Sequence, residues 1–363
     1  MFKVLLLFLI FFNSLHTIPR FSLIEGTSCK LCHVNPNGGS LRNDYGIIIA
    51  SEDITYEKSK TIINNNDLGE ISDHIRIGAD LRIQSINDKK KNVIFPMQLD
   101  LYSYFNYNNL LGFYIESEAL IDNTEYWTIA YLPIFDGYVK AGKSKPYFGL
   151  NIDDHTSFIR GGNINRKFGL DKEGSIFSPY QKPVNIIEVG LNFSEISIIT
   201  SIANNFIGYN SSNIGFLGIP NKRTYSFRAE AYSKFLNNNI FYGLSYIEEE
   251  KIKLKSLFSG FFVNKVSMMT EIDIIENWVN DKQGMATFSE IAFMYKPGLN
   301  ILFQYNFYDE DIQFQTNVIN RYAVGIEFFL FNFWEFKFQT RYNKLNNLNF
   351  EPIEFITQSH FWF

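Results

Sequence analysis

Period-two alternation over most of the chain constrains the fold more than any other feature of this sequence. Near the end, Trp334, Phe336, Phe338, Thr340 and Tyr342 alternate with Glu335, Lys337, Gln339, Arg341 and Asn343. Successive side chains of a strand point to opposite faces, so such a segment has one face for hydrocarbon and one for water. Ile301, Phe303, Tyr305 and Phe307 alternate in the same way with Leu302, Gln304 and Asn306. Phe95, Met97, Leu99, Leu101 and Phe105 do so with Gln98, Asp100, Tyr102, Tyr104 and Asn106. A water-soluble sandwich would use shorter strands around an apolar interior. Segments of about 9–11 residues with an aromatic-rich apolar face fit a transmembrane β-barrel.

Strand starts are expected near residues 73, 92, 109, 125, 136, 184, 195, 224, 239, 253, 266, 287, 299, 319, 333 and 353. The expected fold is therefore all-β, an outer-membrane barrel of about 16 antiparallel strands, an even number as single-chain bacterial barrels have. Connections test this independently, because one end of such a barrel carries short turns and the other longer loops. Every second link, starting with that between the second and third strands, is tight: Asn108, Phe135, Ser194, 236–238, Lys265, 297–298 and 331–332 mark them. Among the intervening links, 146–183 and 204–223 are long. The chain ends on Phe363, with Phe361 in the alternating position, an aromatic end of the kind outer-membrane insertion selects.

Composition agrees with a barrel and removes other classes. Aromatic residues make up 17% of the chain and charged residues 20%, with a mean hydropathy of -0.10, which excludes a disordered chain. Net charge is -5 with no Lys/Arg-rich block, so no nucleic-acid partner is expected. The one long apolar run is 4–12, behind Lys3 and ahead of Asn13 and Ser14. It is too short to span a bilayer and reads as a secretory signal over 1–17.

The only two cysteines stand as Cys29-Lys30-Leu31-Cys32-His33. This is the attachment sequence for a c-type haem: two thiols three positions apart add to the two vinyl groups of one porphyrin, and the adjacent His33 reaches the iron. A thioredoxin-like pair would lack its βαβ surroundings, and a zinc site would lack further cysteines. One covalent haem c is expected, held by Cys29 and Cys32 with His33 as proximal ligand. The segment 18–70 that carries it is too small to enclose a cofactor alone. Its missing walls must come from the barrel over 71–363.

The order of parts resembles the fused monohaem cytochrome-porins of bacterial outer membranes, some of them implicated in oxidising extracellular Fe(II). The resemblance rests on Pro19-Arg20-Phe21, on 26–33 with its CxxCH, and on the large barrel that follows; it weakens at 35–39 and 42–46. It implies electron transfer between an extracellular donor or acceptor, iron being the candidate, and a periplasmic electron carrier. It also implies an outer-membrane lipid surround, with the haem segment on the periplasmic side or inside the lumen.

Two further sets of residues are candidates for chemistry. No Met lies between His33 and Met97, and Met97 is expected on the lipid face. His74, expected on the lumen face with Arg76, Asp80 and Arg82, is then the first available distal haem ligand; His155 competes with it, as would His16 if retained, and a five-coordinate iron is the remaining option. The long link 146–183 contains Asp153, Asp154 and His155, then Arg160-Gly161-Gly162, Asp171 and Glu173. Folded inward, Asp153, Asp154 and His155 would offer carboxylate and imidazole to a metal or to the haem edge; otherwise they belong to a solvated surface loop. The rival to an electron conduit is a diffusion porin with a haem-bearing plug or sensor. A haem enzyme such as a peroxidase finds no identifiable acid-base group.

Overall fold

The computed structural model describes residues 19–39, 41–49, 54–56, 69–88, 91–120, 123–152, 154, 156–162, 183–207, 222–235, 238–277, 281–314, 318–345 and 353–363. Two short helices, α1 (Pro19–Glu25) and α2 (Asp44–Ile49), precede a short strand β1 (Glu70–Ser72). The wall then runs β2 (Ile75–Asp88), β3 (Lys91–Tyr107), β4 (Leu111–Glu118), β5 (Asn123–Leu132), β6 (Gly137–Ser144), β7 (Val184–Phe193), β8 (Ile196–Asn204) and β9 (Arg223–Phe235). It continues as β10 (Asn238–Glu249), β11 (Ile252–Val263), β12 (Val266–Glu276), β13 (Gln283–Lys296), β14 (Leu299–Asp309), β15 (Ile319–Phe331), β16 (Trp334–Leu345) and β17 (Ile353–Trp362). The expected signal region 1–17 lies outside the described residues.

Each strand from β2 onward pairs antiparallel with its sequence neighbours, and β17 returns to pair with β2 through Phe361↔Leu81 and its flanking residues. Closure leaves no edge among these strands, which is what lets a sheet sit in hydrocarbon. β1 stands outside the count, pairing only with the start of β2. Every wall strand begins within a few residues of its expected start, the largest difference being at β13.

One end of the barrel carries only tight turns. Asn108, Phe135, Ser194 and Gly298 take positive φ of 51°, 54°, 56° and 77° there, the left-handed backbone that lets two strands reverse within a few residues. The other end is mixed rather than uniformly long. Links 145–183 and 205–222 are long, yet β2 to β3 and β10 to β11 are joined by 89–90 and 250–251 alone.

Exposure along the strands is inverted relative to a soluble protein. Leu257 is 64% exposed, whereas Lys140, Glu188, Glu271 and Asp273 are fully buried in the lumen. An outward belt of this kind needs hydrocarbon around it. The pairing register shifts near the ends of β13 and β15, at 294–296 and 329–331, and within β3. Arg82 pairs with Gln98 and Ile83 with Pro96, so Met97 is bulged out of register. Proline offers no N–H to the ladder, and the bulge reverses parity beyond it. Phe95, expected beside Leu99 on the apolar face, instead pairs with the lumen residue Gln84 and is half-buried.

Among the described residues, the segment before the barrel and the link after β6 both enter the lumen. Near the short-turn end, α1 packs against β10, β11 and β12. From the other side, the link after β6 turns inward, ending its described part in a 3-10 turn, Phe158–Arg160, against β12, β13 and β14. Leu23 of α1, Leu150, Phe158 and Ile159 of the link, and Phe258 and Phe288 of the wall share one apolar core inside the barrel. Arg20 anchors α1 by pairing with Glu290 at 2.8 Å and with Glu327.

Two outcomes follow from this architecture. Leu257→Arg, at mid-strand on the outward face, should lower barrel stability by about 2–4 kcal/mol in refolding titrations into lipid bilayers, the cost of an arginine near the bilayer midplane. Arg20→Ala strands two carboxylates in the lumen, a change that costs about 3–5 kcal/mol when one partner of a buried pair is removed. Hydrogen exchange should then show residues 19–49 losing protection while the strands keep theirs; unchanged protection at 19–49 would refute the anchoring role of Arg20.

Candidate functional site

Cys29–Leu31 form one 3-10 turn, in which the Cys32 N–H donates to the Cys29 carbonyl at 3.2 Å. The His33 N–H reaches the same carbonyl at 3.2 Å. Residues three and four apart on a helical turn share a face. The two thiols therefore lie on one side of a single turn, with the imidazole beginning the next. After His33 the backbone reverses: the Val34 N–H donates to the Leu41 carbonyl at 3.1 Å and His33 bridges Arg42. The 35–39 turn makes this possible, with Gly38 at φ 79° so close that a Cβ there would come within 2.9 Å of the Cys29 Cβ. α2 is pressed onto the same turn, since a Cβ on Gly46 would fall 2.2 Å from the Cys32 carbonyl oxygen.

Four contacts seat this turn against the wall. Lys30 pairs with Asp136 in the β5–β6 turn. Asn37 donates from Nδ2 to both Glu188 carboxylate oxygens at 3.1 Å, and the same carboxylate holds Lys140 at 2.9 Å and the Tyr138 hydroxyl at 3.0 Å. Arg42 donates to the Asn332 carbonyl at 3.3 Å and lies 4.9 Å over the Trp362 ring. Asp44 of α2 pairs with Arg76. Sequence spacing could not have found these residues, because their partners are separated by 32 to 290 positions.

The inward link meets the turn from above. The Tyr147 hydroxyl donates toward Cys29 Sγ at 3.8 Å, and the Arg228 guanidinium stacks between Tyr147 and Phe258 at 3.9 and 4.6 Å from their centroids. Arg228 is also paired with Glu230 at 2.6 Å. Neither cysteine is in a disulfide. Burial pushes the Cys32 thiol up to about 12, with Arg42 acting in the opposite sense, and burial raises Cys29 as well. A dithiol working by exchange needs a thiolate with a lowered pKa. Two enclosed sulfurs of raised pKa are poorly placed for thiol exchange. A cavity of about 460 Å³ opens beside Thr27, Lys30 and Leu31, walled by Asp136, Ser197 and Tyr232.

The other sequence candidates are placed differently. His74 is exposed in the turn before β2; its Nδ1 lies 3.1 Å from the Asn106 carbonyl and its ring 6.4 Å from Phe105, a residue of the outward face. The lumen-face expectation is not met, because alternation begins only at Ile75, where the strand begins. His33, by contrast, is buried. Asp153 and His155 lie outside the described residues, as does His16. Asp154 lies inside the lumen. It is bound there by Lys337 at 3.4 Å, Arg341 at 3.7 Å and the Thr156 hydroxyl at 2.5 Å. Burial would raise its pKa, yet these cations and hydrogen bonds hold the carboxyl well below the usual range. Among the described residues, no cluster of three or more His, Cys, Asp or Glu forms a metal site.

No protein-family model and no curated protein matches this chain. Solved structures do. A porin refined at 1.8 Å superposes with a TM-score of 0.53 at 11% identity, covering 80% of this chain and 100% of that one. OprB of Pseudomonas putida, in its high-pH structure, gives 0.56 at 10% identity over 80% and 94% of the two chains. OmpT of Vibrio cholerae gives 0.51 at 9% identity over 80% and 99%. The barrel is thus of the porin type in fold.

Proposed function

We propose that the chain is an outer-membrane electron conduit, a porin-type barrel whose lumen carries one c-type haem on Cys29 and Cys32 with His33 as its proximal ligand. The observation that carries this reading is the seating of the CxxCH turn: Arg20, Lys30, Asn37 and Arg42 tie its segment to the inside of the wall. When bound there, the haem supplies a one-electron Fe(III)/Fe(II) couple. The protein's residues supply the setting. Cys29 and Cys32 would hold the porphyrin from one helical face, and His33 would present its imidazole to the iron from the next turn. Leu23, Phe158 and Phe258 exclude water from part of the lumen.

The alternative reading, a diffusion porin with a haem-bearing plug, is equally compatible with a porin-type barrel whose lumen holds such a core. With the short-turn end taken as periplasmic, the cavity beside Lys30 opens toward the compartment of a soluble electron carrier. The opposite end, with the links 145–183 and 205–222, faces an external donor or acceptor, for which iron is the candidate. Asp153, Asp154 and His155 would belong to the path from that end. The described contacts of Asp154 are to cations of the wall, which makes it an anchor of the link.

Outer membranes from cells expressing the intact chain should give a peroxidase-active haem band on a denaturing gel, and the Cys29→Ala/Cys32→Ala double variant should lose it. Addition of Fe(II) to such cells should reduce the haem within the absorbance spectrum. If the haem responds to no external donor or acceptor while membranes conduct small solutes, the haem-plugged diffusion porin is the correct reading. His33→Ala should alter the haem's spin state, whereas His74→Ala, exposed at the rim, should leave the spectrum unchanged; a changed spectrum would restore His74 as the distal ligand.

A further inference from the structure

Among the described strands of the wall, β17 and β2 are the one adjacent pair that no link joins, being its last strand and its first. Every other pair is held by a turn or loop as well as by its ladder. The seam is closed instead by residues as much as 280 positions apart, as in His360 and Asp80, and the entropy of bringing distant segments together opposes it. The wall supplies part of the closure itself. Its ladder runs from Phe355↔Asn87 to Trp362↔Asp80, and Ala79 and Phe363 exchange backbone hydrogen bonds at 3.2 and 3.0 Å. The His360 ring lies 2.9 Å from the Asp80 carboxylate across the seam.

The segment before the barrel adds contacts from inside, where residues 41–44 lie across the short-turn end of the seam. On one side, Arg42 stacks 4.9 Å over the Trp362 ring of β17 and donates to the Asn332 carbonyl, in the β15–β16 turn, at 3.3 Å. On the other side, Asp44 pairs with Arg76 of β2, and the buried Leu41 packs over Gly78 of the same strand. A Cβ on Gly78 would fall 2.6 Å from Leu41 Cδ1 and 2.4 Å from the Phe363 carbonyl oxygen. The segment, β2 and the residue after β17 thus meet at one glycine. Trp362 is backed by Phe329, their centroids 6.2 Å apart, and Phe21 of α1 meets Phe329 at 5.6 Å. The contacts are unequal. The Asp44 side chain is 76% exposed, so its ion pair is weak; the apolar burial of Leu41 and the guanidinium of Arg42 over its ring carry more.

We propose that residues 41–44 form an internal staple across the closing seam, so that the segment carrying the CxxCH turn stabilises the barrel that encloses it. His33 bridges Arg42, which makes the staple continuous with that turn. It acts whether or not a haem is bound. Hydrogen exchange by mass spectrometry, on the purified full chain in detergent micelles, reads local opening of the seam directly. In Leu41→Ala/Arg42→Ala, peptides 75–82 and 353–363 should exchange about tenfold faster than in the wild type, while 252–276, in the β11–β12 pair away from the seam, keeps its rate. Lys30→Ala separates a staple from general loosening, since it removes a contact that seats the same segment on the β5–β6 turn. Its seam peptides should exchange at the wild-type rate. Heat-modifiable gel migration verifies that each barrel has closed, and Arg42→Ala alone is read in the same way if the double variant does not close. Unchanged exchange at the seam, equal acceleration at 252–276, or a seam opened as far by Lys30→Ala would overturn the proposal.

Discussion

The rest of the structure depends on the absence of water from hydrocarbon. A strand in that medium must find partners for all its backbone N–H and C=O groups within the protein, so the sheet closes on itself, as it does where β17 meets β2. Closure then assigns every side chain to the lipid or to the lumen. Polar and charged groups have one direction left. The lumen therefore accumulates Lys140, Glu188, Glu271 and Arg228, and it can be filled only by segments that bring complementary groups. α1 and the link after β6 meet that requirement with Arg20 for Glu290 and Glu327, and with Arg160 for Glu271.

Much of this was legible in the amino-acid order because the relevant physics is local. A two-residue period needs only neighbours to be seen, and a tight turn only its own few residues. Strand starts from β2 to β17 and the tight turns at Asn108, Phe135 and Ser194 follow from such signals. The misreading of Phe95 has a local cause too, the Pro96 bulge, but its effect depends on which residue of β2 takes up the slack. Leu254, Ile275 and Ile247 were harder still. They are apolar yet point into the lumen, because Phe148 of the inward link covers them. A pattern rule that sends apolar side chains outward cannot anticipate a covering segment from a hundred positions away.

The candidate site divides along the same line. CxxCH is a local chemical statement, and the turn that the structure builds from it is local as well. Its seat is not. Asn37 finds Glu188, and Arg42 finds Trp362, only after the barrel has closed around them. His74 illustrates the converse error. Its even spacing with Arg76 suggested a lumen residue, but spacing carries orientation only within a strand, and His74 precedes one.

Buried ion pairs such as Arg20 with Glu290 and Lys140 with Glu188 contribute less to net stability than their short contacts suggest, since both partners lose water. Their larger effect is on specificity. An α1 displaced by one turn would take Arg20 from Glu290 and Glu327 and leave those two carboxylates with only the amides of Gln304 and Asn300. Hydrophobic contact draws the segment into the lumen, and the penalty for unpaired charge selects among its positions there. The position selected holds the Cys29–His33 turn with Lys30 at Asp136 and Tyr147 on Cys29. The charges that line the lumen because the sheet is closed thereby determine where the cysteines stand.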